Sequence, residues 1–110
     1  MSKYLFIESK DPFESNDTIQ TYGLIKELQD QGHDLALFLV QNGVFSSRKK
    51  ARESLFSQLL GAKNIAVYAD DFALEERGIG TEDIFPQIKV APIEALVDLL
   101  MDDGRKAIWH

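Results

Sequence analysis

Apolar positions along this chain fall into two alternating rhythms. Short, mostly apolar runs at residues 4–7, 35–40, 65–69, 88–90 and 106–109 read as strands. The run at 35–40 has no polar interruption, as expected of a strand buried on both faces of a parallel sheet. Between the runs, apolar residues recur at helical spacing. Residues 17–31 place Ile19, Tyr22, Ile25 and Leu28 on one face, Asp17 to Gln20 has the form of a capping box, and Gly32 is placed to stop the helix. Gly23, costly inside a helix, marks close packing. Residues 47–60 predict a second helix with Leu55, Phe56, Leu59 and Leu60 turned inward. Residues 71–76 predict a short third helix ended by Gly78. Pro92 opens a fourth that runs to Asp102 and stops at Gly104. This alternation predicts an α/β domain: a mainly parallel five-stranded sheet with helices on both faces and right-handed crossovers.

The 110 residues suit one domain spanning 1–110, and no repeat or linker composition divides them. No apolar run approaches the roughly 20 residues that span a bilayer, and Glu8 interrupts the first run before it reaches signal-peptide length. The expected location is therefore cytoplasmic. Absence of cysteine agrees with that and removes several chemistries at once: disulfides, thiolate nucleophiles, persulfide carriers and cysteine-ligated metals. With only two histidines, His33 and His110, no histidine-rich metal site is expected, and neither a metal nor a cofactor is called for. A net charge of −6 disfavours nucleic acid and anionic membranes as partners.

In an open parallel sheet, ligands bind outside the carboxyl ends of the strands. The segments that matter are then residues 8–16, 41–47, 70–81, 91–92 and His110, which the topology gathers on one edge. The first carries no glycine, so neither a dinucleotide fingerprint nor a P-loop is present, and Ser15, Asn16 and Asp17 read as helix-capping residues. The second holds Asn42 and Gly43, a turn pair, and leads into Arg48, Lys49, Lys50 and Arg52. At the start of a helix these cations oppose its dipole, which suggests either a solvated face or a docking patch for an acidic partner. The third gathers Asp70, Asp71, Glu75, Glu76, Glu82 and Asp83 around a single cation, Arg77. Their spacing matches no calcium loop; Asp71 as a cap, with the glutamates solvated, is the favoured reading. The acidic segment and the basic cluster are expected to share an edge and to pair there, within one subunit or between copies. Trp109 is expected to be packed in a core or an interface. No serine–histidine–acid arrangement is apparent, so there is no catalytic residue to nominate.

Several segments together resemble the DsrE/DsrF/DsrH (TusBCD-like) sulfur-relay family. Leu39-Val40-Gln41-Asn42-Gly43-Val44 is similar to the end of its second strand. Val67-Tyr68-Ala69-Asp70-Asp71, with Glu76-Arg77-Gly78-Ile79, is similar to its third strand and the Arg-Gly that closes the next helix. Residues 96–100 and 107–109 look like the DsrH branch, and residues 4–28 like the DsrE branch. The resemblance implies a three-layer α/β/α domain that assembles as a trimer or hexamer, alone or with related DsrE/DsrF/DsrH-type subunits. It also places an acceptor cysteine just after the third strand, where this chain has Ala69-Asp70-Asp71-Phe72. A carboxylate cannot replace a polarizable thiolate in persulfide chemistry.

The leading expectation is therefore a non-catalytic, cysteine-free DsrE-like subunit with an accessory or scaffold role in sulfur transfer or related redox metabolism. Its candidate interface or ligand residues are Asn42, Gly43, Arg48, Lys49, Asp70, Asp71, Arg77 and Trp109. The alternative is a small-ligand-binding or regulatory homo-oligomer with a pocket at the carboxyl edge. An enzyme using Asp70 or Asp71 as a general base is the least favoured reading, because no motif supports it.

Overall fold

Five strands carry the apolar runs of the sequence: β1 (Lys3–Glu8), β2 (Asp34–Leu39), β3 (Ile65–Asp70), β4 (Lys89–Ala91) and β5 (Arg105–Trp109). In this computed structural model, which describes residues 2–49 and 54–110, they form one parallel sheet in the order β4-β3-β2-β1-β5. The uninterrupted run in β2 has a direct physical reason. Leu35, Leu37 and Leu39 point to one face of the sheet while Ala36, Phe38 and Val40 point to the other, and all six are buried.

Helices α1 (Asn16–Asp30), α2 (Leu55–Leu59) and α3 (Asp71–Glu76) follow β1, β2 and β3 and cover the first of those faces. Tyr22 and Ile25 of α1, Phe56 and Leu59 of α2, and Ala73 and Leu74 of α3 pack there against Phe6, Leu37 and Val67. Helix α4 (Ile93–Leu100) alone lies on the opposite face, where Leu96 meets Leu5, Ile7, Phe38 and Ala91. The layers are thus α/β/α, as the alternation of elements predicts.

Local expectations hold unevenly. Helix α1 begins at Asn16 with Ser15 as its N-cap, and no side-chain capping bond forms, so the capping box expected at Asp17–Gln20 is absent. Its buried face carries Thr18, Tyr22, Ile25 and Gln29, whereas Ile19 is half exposed. Gln29 is inside because its side-chain amide donates to the Leu59 carbonyl at 2.9 Å, tying α1 to α2. Gly23 faces Leu55 at ordinary contact distance, so it packs without being forced to be small.

The helix expected over 47–60 is not continuous. Residues Gln41–Ser47 form a 3₁₀ helix and α2 starts at Leu55, capped by a reciprocal Ser54/Ser57 capping box. Lys50 and Arg52 of the basic cluster lie outside the described residues. Arg48 itself follows the carboxyl end of the 3₁₀ helix, where a cation is favourable, so the dipole conflict expected from the sequence does not arise there. Pro92 sits one position before α4, at its N-cap.

Candidate functional site

The carboxyl ends of the strands meet on one edge through backbone contacts. Val40 N–H donates to the Glu8 carbonyl at 2.9 Å, Ser9 N–H to the His110 carbonyl at 3.1 Å, and His110 N–H to the Ile7 carbonyl at 2.8 Å. Gly43 lies so close to the Glu8 carbonyl that any Cβ there would overlap it. The candidate Gly43 is therefore fixed by backbone approach, not by ligand contact. Beside it, Gln41 adopts φ +48°, the only non-glycine residue among those described with a positive φ. Strain of this kind persists only where the surroundings over-determine it.

Behind this edge sits a buried polar group that sequence reasoning did not single out. The Glu8 side chain is fully buried, and both its oxygens contact His110 Nδ1, at 2.8 and 2.9 Å. Lys10 N–H supplies a third contact at 3.1 Å. Nearby, the Tyr22 hydroxyl is held to Ser46 Oγ at 2.8 Å, and burial, with the charges of Glu8 and Asp11, pushes its proton affinity well up. A glutamate that ends an apolar strand was the available signal for Glu8; its partner lies 102 residues away.

Asp70 closes β3 and caps α3, its Oδ2 accepting from Ala73 N–H at 3.2 Å. The cap is thus Asp70 and not Asp71, which is exposed and bonds the adjacent Phe72 N–H at 2.7 Å. Burial raises the Asp70 pKa above the usual carboxylate value; the Ala73 N–H opposes that shift and the Asp71 charge adds to it. Gly78, at φ +66°, ends α3 by letting its own N–H and that of Ile79 fold back onto the Glu75 and Leu74 carbonyls.

Arg77 is committed to the 3₁₀ segment. Its Nε donates to Asn42 Oδ1 at 3.0 Å and its Nη1 to the Ala73 carbonyl at 3.2 Å. Arg48 lies 4.8 Å from the Phe45 ring centre and Arg77 lies 5.9 Å from it. Lys49 N–H reaches the Asp83 carbonyl at 2.8 Å, and Arg48 bridges to Ile84. The basic and acidic segments do share an edge, but backbone bonds join them. Among the described residues, no ion pair links Arg48 or Lys49 to a carboxylate, so the pairing expected within one subunit is not formed.

Two hollows open at this edge around Asp70. One, of about 320 Å³, is bounded by Gln41, Asp70, Phe72, Arg77, Ile93 and Trp109. The other, of about 520 Å³, shares Asp70, Phe72 and Ile93 and extends to Glu94. Trp109, expected in a core or an interface, is 63% exposed in the single chain and packs into no core of its own. The structure thus brings Asp70, Arg77 and Trp109 to one hollow and attaches Asn42 to it through Arg77. Arg48, Lys49 and Gly43 stand outside it.

Among the described residues, no group of three or more histidine, aspartate and glutamate side chains is placed to hold a metal ion. No described helix is long and apolar enough to cross a membrane. Curated proteins include no match to the chain. Among solved structures, the ychN protein of E. coli superposes with a TM-score of 0.83 at 20% identity, covering 98% of this chain and 100% of that one. A protein of unknown function from Methanobacterium thermoautotrophicum, MTH1491, superposes with a TM-score of 0.82 at 14% identity, covering 100% of both chains. At these identities the likeness concerns the fold. The DsrE/DsrF-like family model matches residues 2–109, which is nearly the whole chain, and on that match the chain belongs to the DsrE/DsrF-like family.

Proposed function

We propose that this chain is a single-domain, cysteine-free oligomeric subunit of the DsrE type, serving as an accessory or scaffold in sulfur transfer or related redox metabolism without itself carrying persulfide. The observation that carries this reading is the apolar surface left open on the α4 side. Ile93, Val97 and Leu100 of α4 and Met101 at its C-cap form an exposed stripe beside the buried Leu96, and Trp109, which shares the sheet face of Ile7, extends it onto β5. A contiguous patch of this kind on a protein with net charge −6 marks a surface meant for another protein. The partner is a second copy or a related subunit. Asp70 and Asp71 stand where the family's sulfur-bearing cysteine is expected, and no thiol exists elsewhere in the chain to replace it.

Native mass of the purified chain, at low and moderate salt, tests the reading. A trimer or hexamer that survives salt supports assembly through apolar surface. A monomer at micromolar concentration, alone and with DsrE-type partners, overturns it.

The second reading, a small-ligand-binding or regulatory homo-oligomer, is favoured by one observation. Asp70, buried and without a basic partner among the described residues, faces a hollow at the carboxyl edge.

A further inference from the structure

The hollows around Asp70 have a position that topology explains. After β3 the chain turns to α3 on the side of α1 and α2; after the neighbouring β4 it turns to α4 on the other side. The two connections diverge, and a crevice opens between them. This is where parallel sheets bind small molecules. Asp70 and Phe72 line it from the β3 side, and Ile93 and Glu94 from the β4 side. Trp109 closes the hollow that continues from it.

The charge balance selects the ligand. Asp70, Asp71, Glu76 and Glu94 line the two hollows, and among the described residues Arg77 is the one basic side chain there. That guanidinium is turned to Asn42 and the Ala73 carbonyl. Asp70 is about nine-tenths buried, and among the described residues no cation pairs with it. One of its oxygens accepts from Ala73 N–H, and a cation entering the hollow would supply the counter-charge that no described side chain provides. The walls set the rest. Phe72 and Trp109, each more than 60% exposed, line the same hollow as Asp70 and offer aromatic surface to a cation and to an apolar body.

We infer that the crevice between the β3–α3 and β4–α4 connections binds an organic cation, an ammonium group on a small apolar or aromatic body, with Asp70 as counter-ion and Phe72 and Trp109 as walls. This rests on the ligand-binding reading and gives its site a chemical class.

Trp109 is the only tryptophan in the chain, so its fluorescence reports on the site directly. The full-length protein is titrated with benzylammonium, benzyl alcohol and benzoate, which share a body and differ in charge. Benzylammonium is expected to saturate the Trp109 signal at a concentration about tenfold below the alcohol, and benzoate to give no saturable change. Asp70→Asn, which keeps a capping side chain for α3, is expected to erase the tenfold gap with an unchanged circular dichroism spectrum. Glu75→Gln, at an exposed carboxylate of α3 that lines neither hollow, is expected to retain the gap. Equal response to amine and alcohol, or a gap that survives Asp70→Asn, overturns the cation assignment while leaving a ligand pocket in place. Preference for benzoate overturns it in favour of an anion held by Arg77. No response of Trp109 to any probe overturns both the assignment and the ligand-binding reading; native mass decides the assembly reading separately.

Discussion

The two faces of the sheet are built from the same strands and finished to different degrees. On one, α1, α2 and α3 enclose a core that includes Phe6, Tyr22, Leu37, Val44 and Phe56, each at most 3% exposed. On the other, α4 covers Leu5, Ile7 and Phe38 by itself, and its own outer stripe of Ile93, Val97, Leu100 and Met101 remains exposed. A helix apolar on both sides is the pattern of a buried helix. Among the described residues nothing covers the outer stripe of α4, and the proposed assembly rests on that contrast.

Substitutions can break or sharpen this contrast. Phe6→Ala, on the closed face, is expected to cost about 3–5 kcal/mol in urea denaturation. Met101→Ala, on the open face, should stay within about 0.5 kcal/mol when measured dilute; comparable losses at the two positions would end the distinction. Gly43→Ala is expected to cost about 1–3 kcal/mol, because the new Cβ collides with the Glu8 carbonyl and backbone must move.

Asp70→Ala should cost about 1 kcal/mol through loss of the α3 cap, and Asp70→Asn less. The pH dependence has a definite sign. Burial raises the Asp70 pKa in the folded state, so the stability its protonated form contributes is complete below the unfolded value of about 3.9 and is lost as pH rises through the folded value. Asp70→Asn has no such loss. Thermal melts from acid to neutral pH should show the variant gaining on the parent as pH rises. The smallest effect on stability is expected from Val97→Lys, at most about 0.5 kcal/mol for the isolated chain, together with a fall in native mass if the α4 stripe is the contact between copies.

The sequence made the sheet legible because each strand was an apolar run with clear punctuation. Gly78 fixed the end of α3, and residues 71–76 form it with the limits expected. The less legible parts were places where polar side chains go inside. Leu28 packs against the core as periodicity assigned it, but Ile19 is half exposed while Thr18 and Gln29 are buried; Gln29 is inside because it finds the Leu59 carbonyl, and apolar pattern alone cannot anticipate such a bond. Residues 41–47 looked like a turn into a long helix; they wind as a 3₁₀ helix with Gly43 held against the Glu8 carbonyl, a contact between distant segments that local pattern does not show. Of the candidate site, the carboxyl edge could be named in advance and its inner geometry could not. Asp70 and Asp71 are indistinguishable as a dipeptide, yet one ends a strand facing inward and the other starts a helix facing solvent. The pairing of Glu8 with His110 had no local signal either.

Placing β5 beside β1 also sets the order in which the molecule can be finished. Among themselves, strands β1 to β4 pair in chain order, and helices α1 to α3 can dock as each is added. Strand β5 must return to the far edge, where Arg105 reaches the Tyr4 carbonyl across 101 residues. Loop closure over that span makes this the slowest contact to gain from chance encounter. Until it forms, the β1 edge is an unpaired template and the strand face that α4 later covers is bare. The Glu8–His110 contact and the two bonds from Ser9 to the His110 carbonyl then act as a clasp on the last strand to arrive.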